Sequence, residues 1–207
     1  QSMTKISPGD AYEIVAGTAV TPLILLCDHA SNAVPAEYGD LGVAPTQFAR
    51  HIAYDIGARD LTLGLARRLG APAVLSCFSR LLIDPNRGMD DPTLIMRISD
   101  GAAVPGNRNV DEAERQRRIE RFHAPYHRAV ADAMLALLGD RAQAPDADLP
   151  ATGIPLALER ALSPLFIQTS DYGTRASSVV LVRAQGAEIL EKTFDAQGTT
   201  GQHRLEI

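Results

Sequence analysis

One histidine, two aspartates and an asparagine–arginine pair sit where two short apolar runs give way to polar residues. Asp28-His29 closes the run Pro22-Leu23-Ile24-Leu25-Leu26-Cys27, and Asp84, Asn86 and Arg87 follow Leu81-Leu82-Ile83. Apolar runs of this length between turn residues read as buried strands, and in open α/β sheets ligands bind beyond the carboxyl ends of the strands. Asp55 lies one helical turn after His51 in the segment between the runs. An imidazole and a carboxylate meeting at one sheet edge make two legs of a zinc site. A catalytic zinc takes about three protein ligands and keeps one position for water; it lowers the pKa of that water and polarises a carbonyl. The Asn86–Arg87 pair suits another task, because a guanidinium fork matches a carboxylate and an amide adds a donor. Zinc beside a carboxylate clamp is the equipment for hydrolysing an amide near a free carboxylate.

Each of these residues also has a purely structural reading. His29 reads equally as a loop histidine bonded to Asp28, Asp55 as a solvated helix residue, and Arg87 as half of a surface salt bridge. His51 reads as a structural residue able to orient Asp55. His123 and His127 have the spacing of a two-histidine metal pair, but Pro125 between them disturbs it, which leaves His127 as a residue lining the cleft or supporting it. The run Arg115, Arg117, Arg118, Arg121 alternates with Glu114 and Glu120 and reads as a solvated, ion-paired helix face.

The elements that must position these groups follow an α/β order. Pro22 to Cys27 reads as a buried, parallel strand. A helix is expected from about Phe48 to Leu69, with apolar residues at Ile52, Ile56, Leu61, Leu65 and Leu69 and a stop at Gly70. Ala73 to Phe78 and Leu81 to Ile83 read as strands broken by Asp84-Pro85-Asn86-Arg87-Gly88, and 90–109 as an ordered loop. A second long helix is expected from Val110 to about Leu138, kinked or split by Pro125. The expected fold class is therefore α/β, a mixed and mostly parallel sheet flanked by helices. Residues 139–155 read as a linker and Leu156–Leu162 as a short helix. The runs 178–182 and 188–194 around Ala184-Gln185-Gly186 signal a β-hairpin, with Tyr172-Gly173-Thr174-Arg175 as a tight entry to it. Gln1-Ser2-Met3 reads as a tag remnant, 4–140 as the α/β domain, and 141–207 as linker plus hairpin.

The chain has 207 residues, 45% hydrophobic and 22% charged, which suits a folded domain with its own core. A net charge of −5 without a basic face argues against nucleic acid. No segment reads as membrane-spanning or as a signal peptide, so the cytoplasm is the expected compartment, with Cys27 and Cys77 as buried free thiols.

Several blocks carry a more specific likeness. They are Cys27-Asp28-His29-Ala30-Ser31-Asn32; His51-Ile52-Ala53-Tyr54-Asp55-Ile56-Gly57-Ala58; Ser79 through Arg87; Ser99-Asp100-Gly101 with Val104-Pro105-Gly106-Asn107; and Pro125-Tyr126-His127. In this order they resemble the N-formylglutamate amidohydrolases, over about residues 20–138. The resemblance implies a fold like that of zinc-dependent carboxypeptidases and aspartoacylases. It implies zinc as cofactor, held by His29 and Asp55, and a substrate carboxylate gripped by Asn86 and Arg87 with support from Arg80 and Asp84. His127 is grouped with the substrate-binding residues. The implied partner is a small N-acyl amino acid, hydrolysed to formate and the free amino acid where the acyl group is formyl.

The chain departs from that family in its last third. The family's pattern continues with a strand ending in a His-Ser-Phe-type motif, which gives the third metal ligand, and with a glutamate-bearing strand that gives the general base. After Ala129 the sole histidine is His203, in a polar context, and Glu188, Glu191 and Glu206 have the wrong surroundings. The third ligand and the base are thus unassigned. Residues 149–153, 159–163 and 171–179 instead resemble the C-terminal end of the NRDE, or transport-and-Golgi-organisation-2, family. That likeness implies an N-terminal-nucleophile hydrolase, yet Met3 is followed by Thr4 and not by the cysteine that family starts from. Two alternatives therefore stand beside the zinc amidohydrolase: a non-catalytic binder of small acids, and a hydrolase of the N-terminal-nucleophile type.

Overall fold

The structure is a computed structural model that describes residues 10–18, 23–183 and 186–207. The expected tag remnant, Pro22 at the start of the first apolar run, and Ala184 and Gln185 of the hairpin turn lie outside the described residues. The chain divides into two compact units, one up to Val130 and one from Ala131.

In the first unit, β1 (Tyr12–Val15), β2 (Leu25–Cys27) and α1 (Ala58–Leu69) surround β3 (Ala73–Ser76). The sheet order is β1-β3-β2. β2 runs parallel to β3, with Cys27 opposite Leu75, whereas β1 is antiparallel to it. The sheet is thus mixed, but the mostly parallel sheet expected from the sequence is here one parallel and one antiparallel pair. β3 is buried along its whole length, as a central strand with apolar residues on both faces must be.

α1 is shorter than the sequence predicts. Pro45–Ala49 is a 3-10 turn, and the chain turns again before Gly57, whose φ of 80° admits only a residue without a Cβ cheaply. Gly70 ends the helix in the left-handed conformation, its N–H bonded to the Ala66 carbonyl, as the stop signal predicts. The face that packs on the sheet is mostly small: Ala58 and Ala66, with Leu63 at its side, lie in a cluster with Cys27, Ala30, Ala73 and Leu75. The leucine stripe Leu61, Leu65 and Leu69 points outward. Close approach of a helix to a sheet selects small side chains at the contact, so the periodicity finds the helix and misplaces its face.

The segment after β3 is buried but not a strand: Leu81, Leu82 and Ile83 are fully buried within turns. The loop 90–109 holds a short hairpin, β4 (Ile98–Ser99) with β5 (Ala102–Ala103), and a 3-10 turn at Pro105–Asn107. α2 (Glu112–Arg118) starts at Asp111, whose side chain accepts the Glu114 N–H. A single π turn over Ile119–His123 then leads into α3 (Ala124–Leu137). Pro125, which lacks the N–H an unbroken helix needs, follows that π turn; the wider turn absorbs the lost bond.

In the second unit, α4 (Leu156–Leu162) precedes a three-stranded antiparallel meander of β6 (Ala176–Arg183), β7 (Gly186–Asp195) and β8 (Gly198–Glu206). Ala131 and Leu135 form its core with Val179 and Leu190. β6 and β7 supply the two strands of the expected hairpin; β8 was not anticipated.

Candidate active site around His29

The parallel pairing of β2 and β3 brings their carboxyl ends to one edge of the sheet, so Asp28-His29 and Ser79 to Arg87 leave the sheet side by side. Ser76 fastens the first of these segments: its hydroxyl donates to the Asp28 carbonyl at 2.5 Å and accepts the Ala30 N–H at 3.3 Å. Ser79, fully buried, fastens the second by donating to the Ala53 carbonyl at 2.9 Å. The backbone N–H of Asp55 donates to the His29 carbonyl at 3.0 Å, and that of Arg80 to the Ala53 carbonyl at 3.2 Å. Three stretches far apart in sequence are thereby locked together by their own main chains.

The side chains that result form one charged cluster. His29, buried, has Nε2 at 2.7 Å from Oδ1 of Asp84 and Nδ1 at 3.3 Å from Oδ2 of Asp55. Asp84 is fully buried, and its Oδ1 also accepts the Asn86 N–H at 2.9 Å, while Oδ2 accepts from Arg80 at 3.0 Å. Arg80 reaches the other side as well, with one terminal nitrogen 3.3 Å from His29 Nδ1 and 3.5 Å from Asp55 Oδ1. Burial by itself disfavours the His29 cation, but the hydrogen bond and charge of Asp84 outweigh it and raise its pKa. Burial likewise disfavours the Asp84 anion, and its bond to His29, its charge partners and the Asn86 amide outweigh that and lower its pKa. Both shifts describe one ion pair in a place of low dielectric.

The structural reading of His29 as a partner of Asp28 does not hold. Asp28 accepts instead from the Tyr126 hydroxyl at 2.6 Å, and burial, with Asp28 second, pushes the Tyr126 phenol far up. Asp55 is not on a helix but in the turn before α1, about half exposed. His51 points to Asp100, at 3.6 Å, and not to Asp55. Arg87 is about half exposed and touches Asp84 and Asp91 at 3.9 and 3.8 Å, contacts long enough to leave its fork available.

His123 and His127 carry the loop that presents Asn86 and Arg87. Their rings are 4.3 Å apart; Nε2 of His127 donates to the Pro85 carbonyl at 2.9 Å and Nε2 of His123 to the Arg87 carbonyl at 2.8 Å. A carbonyl can only accept, so both Nε2 atoms hold their protons there. His127 thus supports the Asn86–Arg87 loop from beneath. Two further residues have roles that the sequence reading did not assign. Asn107, buried, donates to the carbonyls of Leu81 and Met96 at 2.7 and 2.8 Å. Arg118, expected to be solvated with its neighbours, is buried and donates to Asn107 Oδ1 at 2.7 Å, the Leu82 carbonyl at 2.9 Å and Glu114 at 2.8 Å. Nothing in the local sequence separates Arg118 from the other arginines of that run.

The donor atoms fit a zinc ion in part. The 3.3 Å between His29 Nδ1 and Asp55 Oδ2 matches the spacing of neighbouring corners of a tetrahedral shell with bonds of about 2.0–2.1 Å. Asp84 bonded to the opposite ring nitrogen is the carboxylate that orients a ligating histidine. The Arg80 guanidinium stands beside both donor atoms. Its Nε is buried without an acceptor among the described residues. Asp84 is on the wrong side of the ring to share the same ion, and among the described residues no three His, Cys, Asp or Glu side chains converge as a metal shell.

Comparison with known proteins places these residues in a family. Residues 21–148 match the family model described as N-formylglutamate amidohydrolase. No curated protein matches the chain. Among solved structures, gene product Atu2144 from Agrobacterium tumefaciens is 33% identical with a TM-score of 0.57, over 61% of this chain and 50% of that one. An N-formylglutamate amidohydrolase from Ralstonia eutropha JMP134 is 26% identical with a TM-score of 0.49, over 61% of this chain and 51% of that one. The chain thus spans about half the length of the solved structures it matches.

Proposed function

The chain belongs to the N-formylglutamate amidohydrolase family, and from that premise we propose that it is a zinc-dependent hydrolase of N-formylglutamate or a closely similar N-acyl amino acid. The observation that carries the reading is His29 held between two carboxylates, Asp84 at 2.7 Å on one ring nitrogen and Asp55 at 3.3 Å on the other. His29 Nδ1 and Asp55 would hold the ion, and Asp84 would orient the imidazole. When bound, zinc supplies Lewis acidity for the acyl carbonyl and for the attacking water.

The remaining work falls to side chains of this chain. Arg87 offers the guanidinium fork to the substrate carboxylate, and Asn86 beside it adds an amide donor. Arg80, bound to Asp84 at 3.0 Å, holds that carboxylate in place beside the imidazole. His127 holds the Pro85 carbonyl and thereby the height of the Asn86–Arg87 loop. A fold of the zinc-carboxypeptidase kind, in which β2, α1 and β3 form one strand–helix–strand unit, belongs to the same proposal.

Metal content and formate release test it together. Zinc-loaded chain should release formate from N-formylglutamate, and His29→Ala should lose both the zinc and about 100-fold or more of the rate. Full turnover in the His29 variant would end the zinc assignment. A second reading, binding of small acids without turnover, rests on the finding that among the described residues no three His, Cys, Asp or Glu side chains converge as a metal shell. It predicts that glutamate raises the melting temperature while formate is never released. For residues 146–198, descent from the NRDE family, with its N-terminal-nucleophile chemistry, stands as a separate proposal; a mature chain beginning with cysteine would support it.

A further inference from the structure

The loop Tyr172-Gly173-Thr174-Arg175, which the hydrolase reading does not use, forms one wall of a cavity of about 400 Å³ within the second unit. The loop's shape is fixed by its own bonds. Ile167 and Thr174 join through main-chain N–H to carbonyl at 2.8 Å and through the Thr174 hydroxyl, which accepts the Ile167 N–H at 2.9 Å. Thr169 closes the tip, its N–H donating to the Tyr172 carbonyl at 2.8 Å and its hydroxyl accepting the Tyr172 N–H at 3.0 Å. Gly173 lies so close that a Cβ there would come within 2.8 Å of the Ile167 carbonyl oxygen. A wall held this way is in place before any ligand arrives, which lowers the ordering cost of binding.

The lining has a distinct chemistry. Arg141, Arg175 and Lys192 all face the cavity, and among the described residues none of the three has an ion-pair partner. Of the two acids in the lining, Asp195 is committed to its own turn, accepting the N–H groups of Gln197 and Gly198 at 2.8 and 3.0 Å. Its carboxylate keeps its charge, so Asp171 and Asp195 face three cations and the lining carries an excess of positive charge. Beside them stands a flat apolar wall: Phe166, buried, meets Phe194 edge-on at 4.8 Å, and the Arg141 guanidinium lies 5.0 Å from the Phe166 ring. Ser177, buried, adds a hydroxyl. An excess of cations, none of them in an ion pair among the described residues, beside an aromatic surface in a cavity of small-molecule size has the features of an anion site.

We propose that this cavity binds a small organic oxyanion, a phosphate or carboxylate carried on a flat apolar group. The oxyanion sits between Arg175 and Lys192 and the flat group lies along Phe166.

Calorimetric titration of the full chain tests this with phenyl phosphate, benzoate and phenol. Phenyl phosphate or benzoate should bind with a Kd on the order of 0.1–1 mM, the range open to ligands of that size. The tighter of the two identifies the source as phosphate or carboxylate. Phenol, which lacks the charge, should bind at least about tenfold more weakly than the better anion. Arg175→Gln and Lys192→Gln should each weaken the better anion by about tenfold or more, while Arg87→Gln leaves it unchanged. That last arm separates this site from the one around His29. Backbone amide shifts, which need no substitution, should move at Gly173, Thr174 and Lys192 when phenyl phosphate is added. No binding of either anion up to about 10 mM, equal binding of phenol, loss of binding in the Arg87 variant, or shifts confined to other residues would each overturn the proposal.

Discussion

Charged side chains gather in two places in this molecule, and they gather differently. Around Asp84 each charge answers another: the carboxylate meets His29 at 2.7 Å and Arg80 at 3.0 Å, and Arg80 closes the circuit to Asp55. Around the cavity of the second unit, Arg141, Arg175 and Lys192 meet no carboxylate among the described residues. A buried charge without a partner is costly, so the first group exists only as a set and must be structural before it is anything else. The second group is more exposed, keeps its water, and costs the fold little to leave unpaired. One cluster holds its region in shape; the other is able to change partners.

The sharpest way to break that contrast is to remove the centre of the first cluster. Asp84→Ala leaves a buried imidazole and a guanidinium facing each other, and breaking a buried pair of this kind costs about 3 kcal/mol or more. Urea unfolding read by thiol labelling measures it in the first unit specifically, since Cys27 and Cys77 both lie there. Burial pushes the Cys77 thiol up to about 12, so in the folded protein it does not react near neutral pH. Labelling that appears at the same urea concentration in the variant and the parent would show that Asp84 is dispensable.

A smaller effect comes from pH. His29 has a pKa raised above 6.5, so the stability it gains from its partners is complete below that value and is lost as pH rises through the raised one. Asp84 has a pKa lowered below 3.8, so its share is complete above that value and is lost as pH falls through the lowered one. The pair contributes fully between 3.8 and 6.5. In metal-free protein, the stability difference between the parent and His29→Gln should be widest in that window and shrink on both sides. A difference that does not change with pH would mean that His29 is held by packing alone.

These residues also mark how far the sequence could be read. The change from apolar to polar after Cys27 was enough to put His29 at a strand end, whereas Asp84 and Arg87 reach the same place from a buried run, Leu81-Leu82-Ile83, that is not the strand the sequence suggested. The direction of β1 relative to β3 was not legible, since pairing between distant segments leaves no local trace. Asp55 was expected on a helix because Ile52 and Ile56 have helical spacing, yet Asp55 lies in a turn and Gly57 precedes the first residue of α1. Leu61, Leu65 and Leu69 were expected to face the core and point outward, because small side chains won the contact with the sheet. β8 was invisible: Gly198-Thr199-Thr200-Gly201-Gln202-His203 is polar throughout, and its strand character comes from the partner β7 and not from its own residues. Arg118 shows the same limit in the site, since only the carbonyls and the Asn107 side chain around it distinguish it from a surface arginine.

The smallest expected effect is the one that most depends on the contrast being right. Arg175→Gln and Lys192→Gln remove charges that have no ion-pair partner among the described residues, so each should change stability by no more than about 0.5 kcal/mol in the absence of ligand. The sign is informative. Three like charges around one cavity repel each other, and with two acids, Asp171 and Asp195, opposing three cations, removing one should leave stability unchanged or slightly raised. Raised salt, which screens that repulsion, should shrink whatever gain is seen. A loss of 2 kcal/mol or so would instead mark these side chains as part of the fold's own support. In that case the second cluster would be of the same kind as the first, and its cations would not be waiting for an anion.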